Sequence, residues 1–429
     1  MKQIISSVKG TRDYYPEDMA MRNWLYQAIR QVSASFGYQE WEAPMLESIA
    51  LYAAKSGEEL VNQQSFVFPD RGGELLALRP ELTPSLARMV AQRQNQLVFP
   101  LRWWSWGPFW RYERPQRGRT REFFQWNIDL IGVDTPEADA ELIAIAANFL
   151  KQVGLTPEQA VILVNDRQLT NAELEKLGIP KEKLPEFLSL IDRRSKMEAA
   201  EWDANAIDLG MDSAQLAGMK TFLNDPELWR KSAALVRLFT ALESLGVSDY
   251  VRYDSNIIRG LLYYTSIVFE AFAVNSDIRR ALLGGGRYDN LMEQVGGAPV
   301  PATGFAMGDL AIGLLLQSLG LLPEEIKKTP AEVYVTVFDV ERQPSSMAFA
   351  ASLREAGLKV ICSPEVSKLP KQFKYADRIG VRLAVVIGPD EVARGSVTVK
   401  DLASGDQQTF IRAEAALEIR KLLDNQDSL

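Results

Sequence analysis

The chain has 429 residues, 47% of them hydrophobic and 24% charged, enough for two or three globular domains with ample core. Its formal charge of −8 excludes a protein that coats nucleic acid nonspecifically, while leaving room for local basic patches that dock a folded RNA. Histidine is absent and Cys362 is the single cysteine, which excludes histidine triads, histidine bases, a plausible zinc site and any intramolecular disulfide framework.

Val8 to Asp18 is a turn-rich entry into an amphipathic helix expected from about Met19 to Phe36. Phe36 to Pro44 then alternates like a strand. Val67 to Glu74 carries a hairpin signal, with turn residues between apolar runs. It delivers Leu78-Arg79-Pro80-Glu81-Leu82-Thr83-Pro84, where Thr83 precedes an apolar helical run and suits a helix cap.

Between Trp103 and Gly132 two apolar runs flank a polar loop that holds five arginines, Arg111, Arg114, Arg117, Arg119 and Arg121. Such a segment suits an antiparallel hairpin whose loop offers guanidinium forks to phosphate, because arginine is always charged and binds phosphate bidentately. A solvated basic loop is the competing reading. Val161 to Asp166 reads as a further strand inside a stretch, about 160–248, that is otherwise helical, charged and leucine-spaced.

Ile258 to Glu270 contains Arg259 and the pair Tyr263-Tyr264, which in a strand usually means packing. Leu283 to Leu291 reads as a glycine-rich turn that lets backbone approach a ligand closely. It is not a Walker loop, since no Gly-Lys-Ser/Thr follows. After a linker around Pro330, strands at Val333–Phe338, Lys359–Cys362 and Leu383–Ile387 alternate with helices, one near Leu369–Ile379, and predict a small parallel or mixed sheet. That last helix mixes Lys371, Lys374 and Arg378 with Phe373 and Tyr375, a basic and aromatic face that could equally be merely solvated. The chain has neither an apolar run of eighteen residues nor a charged-then-apolar leader, and one cysteine fits a reducing compartment. A soluble, cytoplasmic chain without membrane attachment is therefore expected.

The run Phe109-Trp-Arg-Tyr-Glu-Arg-Pro-Gln116 resembles motif 2 of class II aminoacyl-tRNA synthetases, in its histidyl-tRNA synthetase version. Arg259-Gly-Leu-Leu262-Tyr-Tyr-Thr265-Ser266 is similar to the Arg-Gly-Leu-Asp-Tyr-Tyr-Thr-Gly signature of the same family, and Gly37 with Pro44 resembles motif 1, the family's dimer element. The resemblance implies an α/β (α+β) fold. A class II catalytic domain on a mostly antiparallel sheet, residues 1–325 with a helical insertion about 170–248, would precede a small α/β anticodon-binding domain, residues 330–429.

It also implies roles. Arg111 and Arg259 would approach the α-phosphate of ATP from opposite faces as the catalytic residues, with Glu113 on the adenine amino group and Phe123 stacked on the ring. Arg119 and Arg121 of the loop would add contacts to ATP. Glu81 and Thr83 would hold the ammonium of histidine, while Gln125, Asp129, Arg259, Tyr263, Tyr264 and Tyr288 would surround the rest of the amino acid. Gln116 would meet the acceptor end of tRNA(His). The implied partners are L-histidine, ATP with Mg2+, tRNA(His) and a second copy of the chain in a homodimer, with no protein-bound metal.

Departures from the family pattern are equally definite. Motif 3 reads Gly304-Phe-Ala-Met-Gly-Asp309-Leu-Ala311, so Ala311 stands where the family has a γ-phosphate arginine. Leu262 replaces the signature aspartate and Ser266 the following glycine. They keep two rivals in view: a non-catalytic paralogue such as the regulatory subunit of ATP phosphoribosyltransferase, and an RNA-binding or dimerising module derived from a synthetase. Arg119 or Arg121 could compensate for Ala311.

Overall fold

The computed structural model describes residues 4–53, 64–116, 118–259, 263–290, 292–323 and 331–424. Arg117, Leu262 and most of the linker before Ala331 lie outside them. The chain divides into two compact units, Met1–Leu322 and Pro323–Leu429.

The first unit is built on an eight-stranded sheet. Its order is Gln39–Glu40, Leu101–Trp110, Glu122–Ile131, Ala302–Gly308, Leu283–Arg287, Ile267–Ala273, Ala160–Asp166, Val251–Tyr253. All pairings are antiparallel except the two outermost. The two ten-residue strands of the arginine hairpin pair from Leu101↔Ile131 to Trp110↔Glu122.

Alternation along Glu122–Ile131 separates core from site. Trp126, Ile128 and Leu130 are buried in the main core, where Trp126 meets Phe149 and Phe305 with ring centroids 5.4 and 4.8 Å apart. Gln125, Asn127 and Asp129 share the opposite face, as a period of two requires. Truncating a side chain as enclosed as Trp126 to alanine costs about 3–5 kcal/mol.

The helix Pro136–Gln152 covers the core face. Proline at its first position and Glu137 and Asp139 in its first turn suit a helix start. Eleven of its residues are buried, which makes it a core helix, apolar nearly all round.

Several elements differ from the sequence expectation. The first helix runs Pro16–Ser35 and is ended by Gly37 at φ +78°. The strand expected over Phe36–Pro44 shrinks to Gln39–Glu40, because Gly37 and the tight helix end take up its beginning. The hairpin forms, with Phe66–Pro69 paired to Leu75–Leu78 and Asp70 accepting from the backbone N–H of Gly72 and Glu74. The glycine run 283–287 is a strand in the middle of the large sheet rather than a turn. Tyr263 and Tyr264 precede the strand Ile267–Ala273 instead of lying within it.

Between Asp166 and Val251 the chain is helical, with α-helices Arg167–Lys176, Leu184–Asp192, Ala199–Asp208, Ser213–Leu223 and Ala233–Ser244. The second unit carries a mixed five-stranded sheet in the order Val360–Cys362, Val333–Val335, Leu383–Val386, Ser396–Asp401, Gln407–Ile411. Its antiparallel last pair and closing helix Ala415–Asp424 were not distinguished in the sequence. The helix Leu369–Arg378 buries Gln372 and Ala376 and leaves Lys371, Lys374, Tyr375 and Arg378 exposed.

Candidate active site

Two adjoining cavities open on the face of the large sheet opposite Trp126. The inner one is lined by Glu81, Thr83, Gln125, Asp129, Arg259, Tyr263, Tyr264 and Tyr288, the full set that the resemblance implies for the amino acid, together with Asn127. The outer one, about 220 Å³, is lined by Arg111, Glu113, Arg119 and Phe123 from the hairpin and by Arg280 and Ala311 from elsewhere. Arg111 lines both. The structure brings these residues together around the two cavities.

Each side chain is held by identifiable neighbours. The hairpin strands bring Arg111 out at the edge of the paired region, where its Nε donates to the carbonyl of Pro80 at 2.9 Å and its guanidinium lies 5.3 Å from the Phe123 ring centroid. That bond ties the hairpin to the segment carrying Glu81 and Thr83. Behind it, Arg79 is fully buried, ion-paired to Glu42 and donating to the carbonyls of Pro108 and Ala43. Thr83 is the first residue of the helix Thr83–Arg93, and Leu82 occupies the cap position. The capping explanation for Thr83 therefore falls, and its side chain faces the inner cavity.

Arg259 has φ +59°, a left-handed backbone that a non-glycine residue adopts only at a cost of about 1–3 kcal/mol. Its Nη1 pairs with Glu270 at 2.9 Å. The guanidinium crosses directly over Gly284, where a Cβ would lie 1.4 Å from Nη1. Glycine in the central strand is thus the space through which Arg259 reaches the cavity. Gly304 serves Asp129 in the same way, since a Cβ there would lie 2.1 Å from Oδ1.

Electrostatics mark the junction of the cavities. Burial lowers the pKa of Arg111, Glu81 and Tyr263 oppose this, and Arg259 lowers it further. Two guanidiniums are therefore close enough to repel one another, with Glu81 and Glu270 as nearby counter-charges. Burial raises Asp129 to about 7, against the hydrogen bond it accepts from Tyr288. Tyr288 follows Arg287, which is itself anchored by Asp139 at 2.8 Å and by the carbonyls of Val133 and Thr135.

One expectation needs correction. Arg121 does not line either cavity: its guanidinium stacks 4.2 Å from the Tyr112 ring centroid and donates to the carbonyls of Glu113 and Lys9. Hairpin pairing turns it toward the amino-terminal segment, whose Gly10 carbonyl also accepts its backbone N–H at 2.8 Å. Glu113 is engaged by Arg119, so these two ATP candidates are paired with each other.

Comparison with known proteins agrees with this geometry. Residues 10–311 match the histidyl-tRNA synthetase family, and residues 332–422 match the anticodon binding domain family. A histidine–tRNA ligase of Opitutus terrae is 37% identical over 430 residues, covering 96% of this chain and 98% of its own. The chloroplastic/mitochondrial histidine–tRNA ligase of Arabidopsis thaliana is 39% identical over 413 residues, covering 94% and 84%. The crystal structure of histidyl-tRNA synthetase from Nostoc sp. PCC 7120 superimposes with a TM-score of 0.83 at 27% identity, covering 98% and 100%. The chain belongs to the histidyl-tRNA synthetase family.

Within that family's frame the departures acquire places. Ala311 lies in the first turn of the helix Asp309–Ser318 and forms part of the outer cavity wall. Ser266 donates its hydroxyl to Asp166 at 3.2 Å, so the residue replacing glycine is absorbed in a buried polar cluster with Ser232. Leu262 is outside the described residues. Asp309 accepts from Arg12 at 2.7 Å and from the backbone N–H of Phe124 at 3.0 Å, pinning the entry segment to the returning hairpin strand. Sequence reading missed Asn127, Arg280, Glu270 and this Arg12–Asp309 pair. Only Asn127 gave a local signal, its even spacing from Gln125 and Asp129.

Proposed function

We propose that this chain ligates L-histidine to tRNA(His) at the expense of ATP, through a histidyl-adenylate made in the two cavities described above. The observation that carries the proposal is the convergence of Arg111 and Arg259 at the cavity junction. The histidine carboxylate, in the inner cavity, attacks the α-phosphorus of ATP in the outer one. Charge redistributes on the phosphate as pyrophosphate leaves, and two preorganised guanidiniums stabilise it more strongly in the transition state than in the ground state.

The remaining roles follow from position. Glu81 and Thr83 receive the ammonium, and Gln125 orients the amino acid. Asp129, with Tyr264, takes the two imidazole nitrogens, one a donor and one an acceptor in the neutral ring. Tyr263 and Tyr288 enclose that ring. Phe123 stacks on adenine, and Glu113, with Arg119 kept paired at its side, accepts from the adenine amino group. In the second step a terminal ribose hydroxyl of the tRNA displaces AMP. Gln116, exposed at the hairpin tip and bridged to Arg119 through backbone hydrogen bonds, meets the acceptor end.

Among the described residues no group of three or more acidic side chains forms a metal cage. Glu113 and Asp309, the carboxylates of the outer cavity, are each engaged by an arginine. Such a site suits Mg2+ that arrives with the nucleotide, held mainly by phosphate oxygens and water. The ion would screen phosphate charge there.

The second unit supplies a docking face for the anticodon arm in Lys371, Lys374, Tyr375 and Arg378, with phosphate contacts that salt weakens. We assign a homodimer on the motif 1 resemblance at Gly37 and Pro44. A cytoplasmic location accords with the substrates and with the absence, among the described residues, of a helix long and apolar enough to cross a membrane. Charging of tRNA(His) with labelled histidine, set against the other amino acids, tests the proposal. Faster charging with another amino acid overturns the substrate.

A further inference from the structure

Ala311 removes the family's guanidinium from the outer cavity wall, yet the polyphosphate of ATP still requires cations there. The direction of that polyphosphate follows from the reaction. Its α-phosphate must sit at Arg111, the side chain shared by both cavities, and its base lies against Phe123. The β- and γ-phosphates must then run away from the inner cavity, toward the wall made by Gly308 to Ala311 and Arg280 to Leu282. A second void, about 290 Å³, continues past that wall and shares Gly118, Arg280 and Ala311 with the first.

The charges along this path are unevenly committed. Arg119 is paired with Glu113, and Asp309 is occupied by Arg12. Arg121 faces elsewhere. Among the described residues Arg280 forms no ion pair, is exposed, and lies on the lip of both voids beside Ala311, where the small methyl leaves room for a guanidinium. Asp277, the acidic residue of the second void, is not ion-paired to it among the described residues. The first turn of the helix Asp309–Ser318 adds the positive end of its dipole to the same wall.

We infer that Arg280 holds the terminal phosphates of ATP in this chain, a phosphate-binding arginine moved from the motif 3 helix to the segment before the central glycine strand. The inference rests on the nucleotide cavity proposed above, but its test is independent of aminoacyl transfer. Equilibrium dissociation constants for ATP and for AMP are measured on the full chain, on Arg280→Ala, on Arg280→Lys, and on Arg280→Ala combined with Ala311→Arg. ATP affinity falls about tenfold or more in Arg280→Ala, the loss of one charge-assisted phosphate contact. AMP affinity stays within about twofold, since AMP lacks the phosphates concerned, and Arg280→Lys retains part of the ATP affinity. Adding Ala311→Arg restores ATP binding. Equal losses for ATP and AMP, or unchanged ATP binding, overturn the assignment, as does failure of the parent to bind ATP. A parent that binds ATP with Arg280 dependence but lacks histidine-dependent turnover would overturn the proposed function and leave Arg280 standing.

Discussion

Tyr288 donates its hydroxyl to Oδ1 of Asp129, and the two side chains, 2% and 6% exposed, line the inner cavity. The bond aims the carboxylate, and burial holds its pKa near 7. The carboxylate proposed to receive the imidazole is thereby brought into the range where imidazole itself titrates.

Asp129→Asn is expected to raise the histidine KM about tenfold or more, the loss of one charge-assisted hydrogen bond of about 1.5–3 kcal/mol, while ATP affinity stays unchanged. Steady-state exchange with each substrate varied in turn measures both. Acidification through pH 7 protonates Asp129 and removes an acceptor, so parent histidine affinity should weaken there beyond what titration of the free amino acid explains. The excess should vanish in the variant.

Stability carries the opposite sign. The folded-state pKa of Asp129 is raised, so the native state keeps a proton that the unfolded chain has already lost. The cost of ionising the buried carboxyl is absent below about pH 4, grows toward pH 7 and is complete above it, on the order of a few kcal/mol. The melting temperature of Asp129→Asn relative to the parent should therefore be more favourable at pH 8 than at pH 5. An unchanged difference between those pH values would mean that Asp129 ionises freely.

Arg259→Ala should depress adenylate formation by about 10²–10³, the scale for one preorganised donor at a developing charge. Histidine affinity measured without ATP should change far less. Equal losses in both would mark Arg259 as structural.

Gly284→Ala places a Cβ 1.4 Å from Nη1 of Arg259 and should displace that guanidinium. Activity should fall toward that of Arg259→Ala, with about 1–3 kcal/mol of stability lost to overpacking. In the Arg259→Ala background the same change should cost little further activity, which a double-mutant cycle measures.

Much of this site could be read in the sequence because its parts are local. The resemblance of the returning strand pointed to Gln125 and Asp129, and the arginine hairpin announced itself by composition. What stayed hidden depends on tertiary contacts. Glycines 284–286 look like a turn because glycine usually punctuates, whereas here Arg259, arriving from an earlier segment, forbids a side chain at Gly284. Arg280 is an ordinary exposed arginine until Ala311 is brought beside it. Arg121 resembled a phosphate ligand by proximity in sequence, and only the hairpin pairing reveals that it turns toward Tyr112.

Removing residues 323–429 should spare histidine-dependent exchange and abolish efficient charging of tRNA(His), because the two compact units have separate cores. Full charging by the shortened chain would remove the anticodon role assigned to the Leu369–Arg378 helix.

Exchange of labelled pyrophosphate into ATP, with and without histidine, tests the central claim most directly, since it requires both cavities and the Arg111–Arg259 junction but no tRNA. Exchange should depend on histidine and exceed that with any other amino acid. Absence of exchange with histidine, in a folded chain that binds ATP, would contradict adenylate formation at this site.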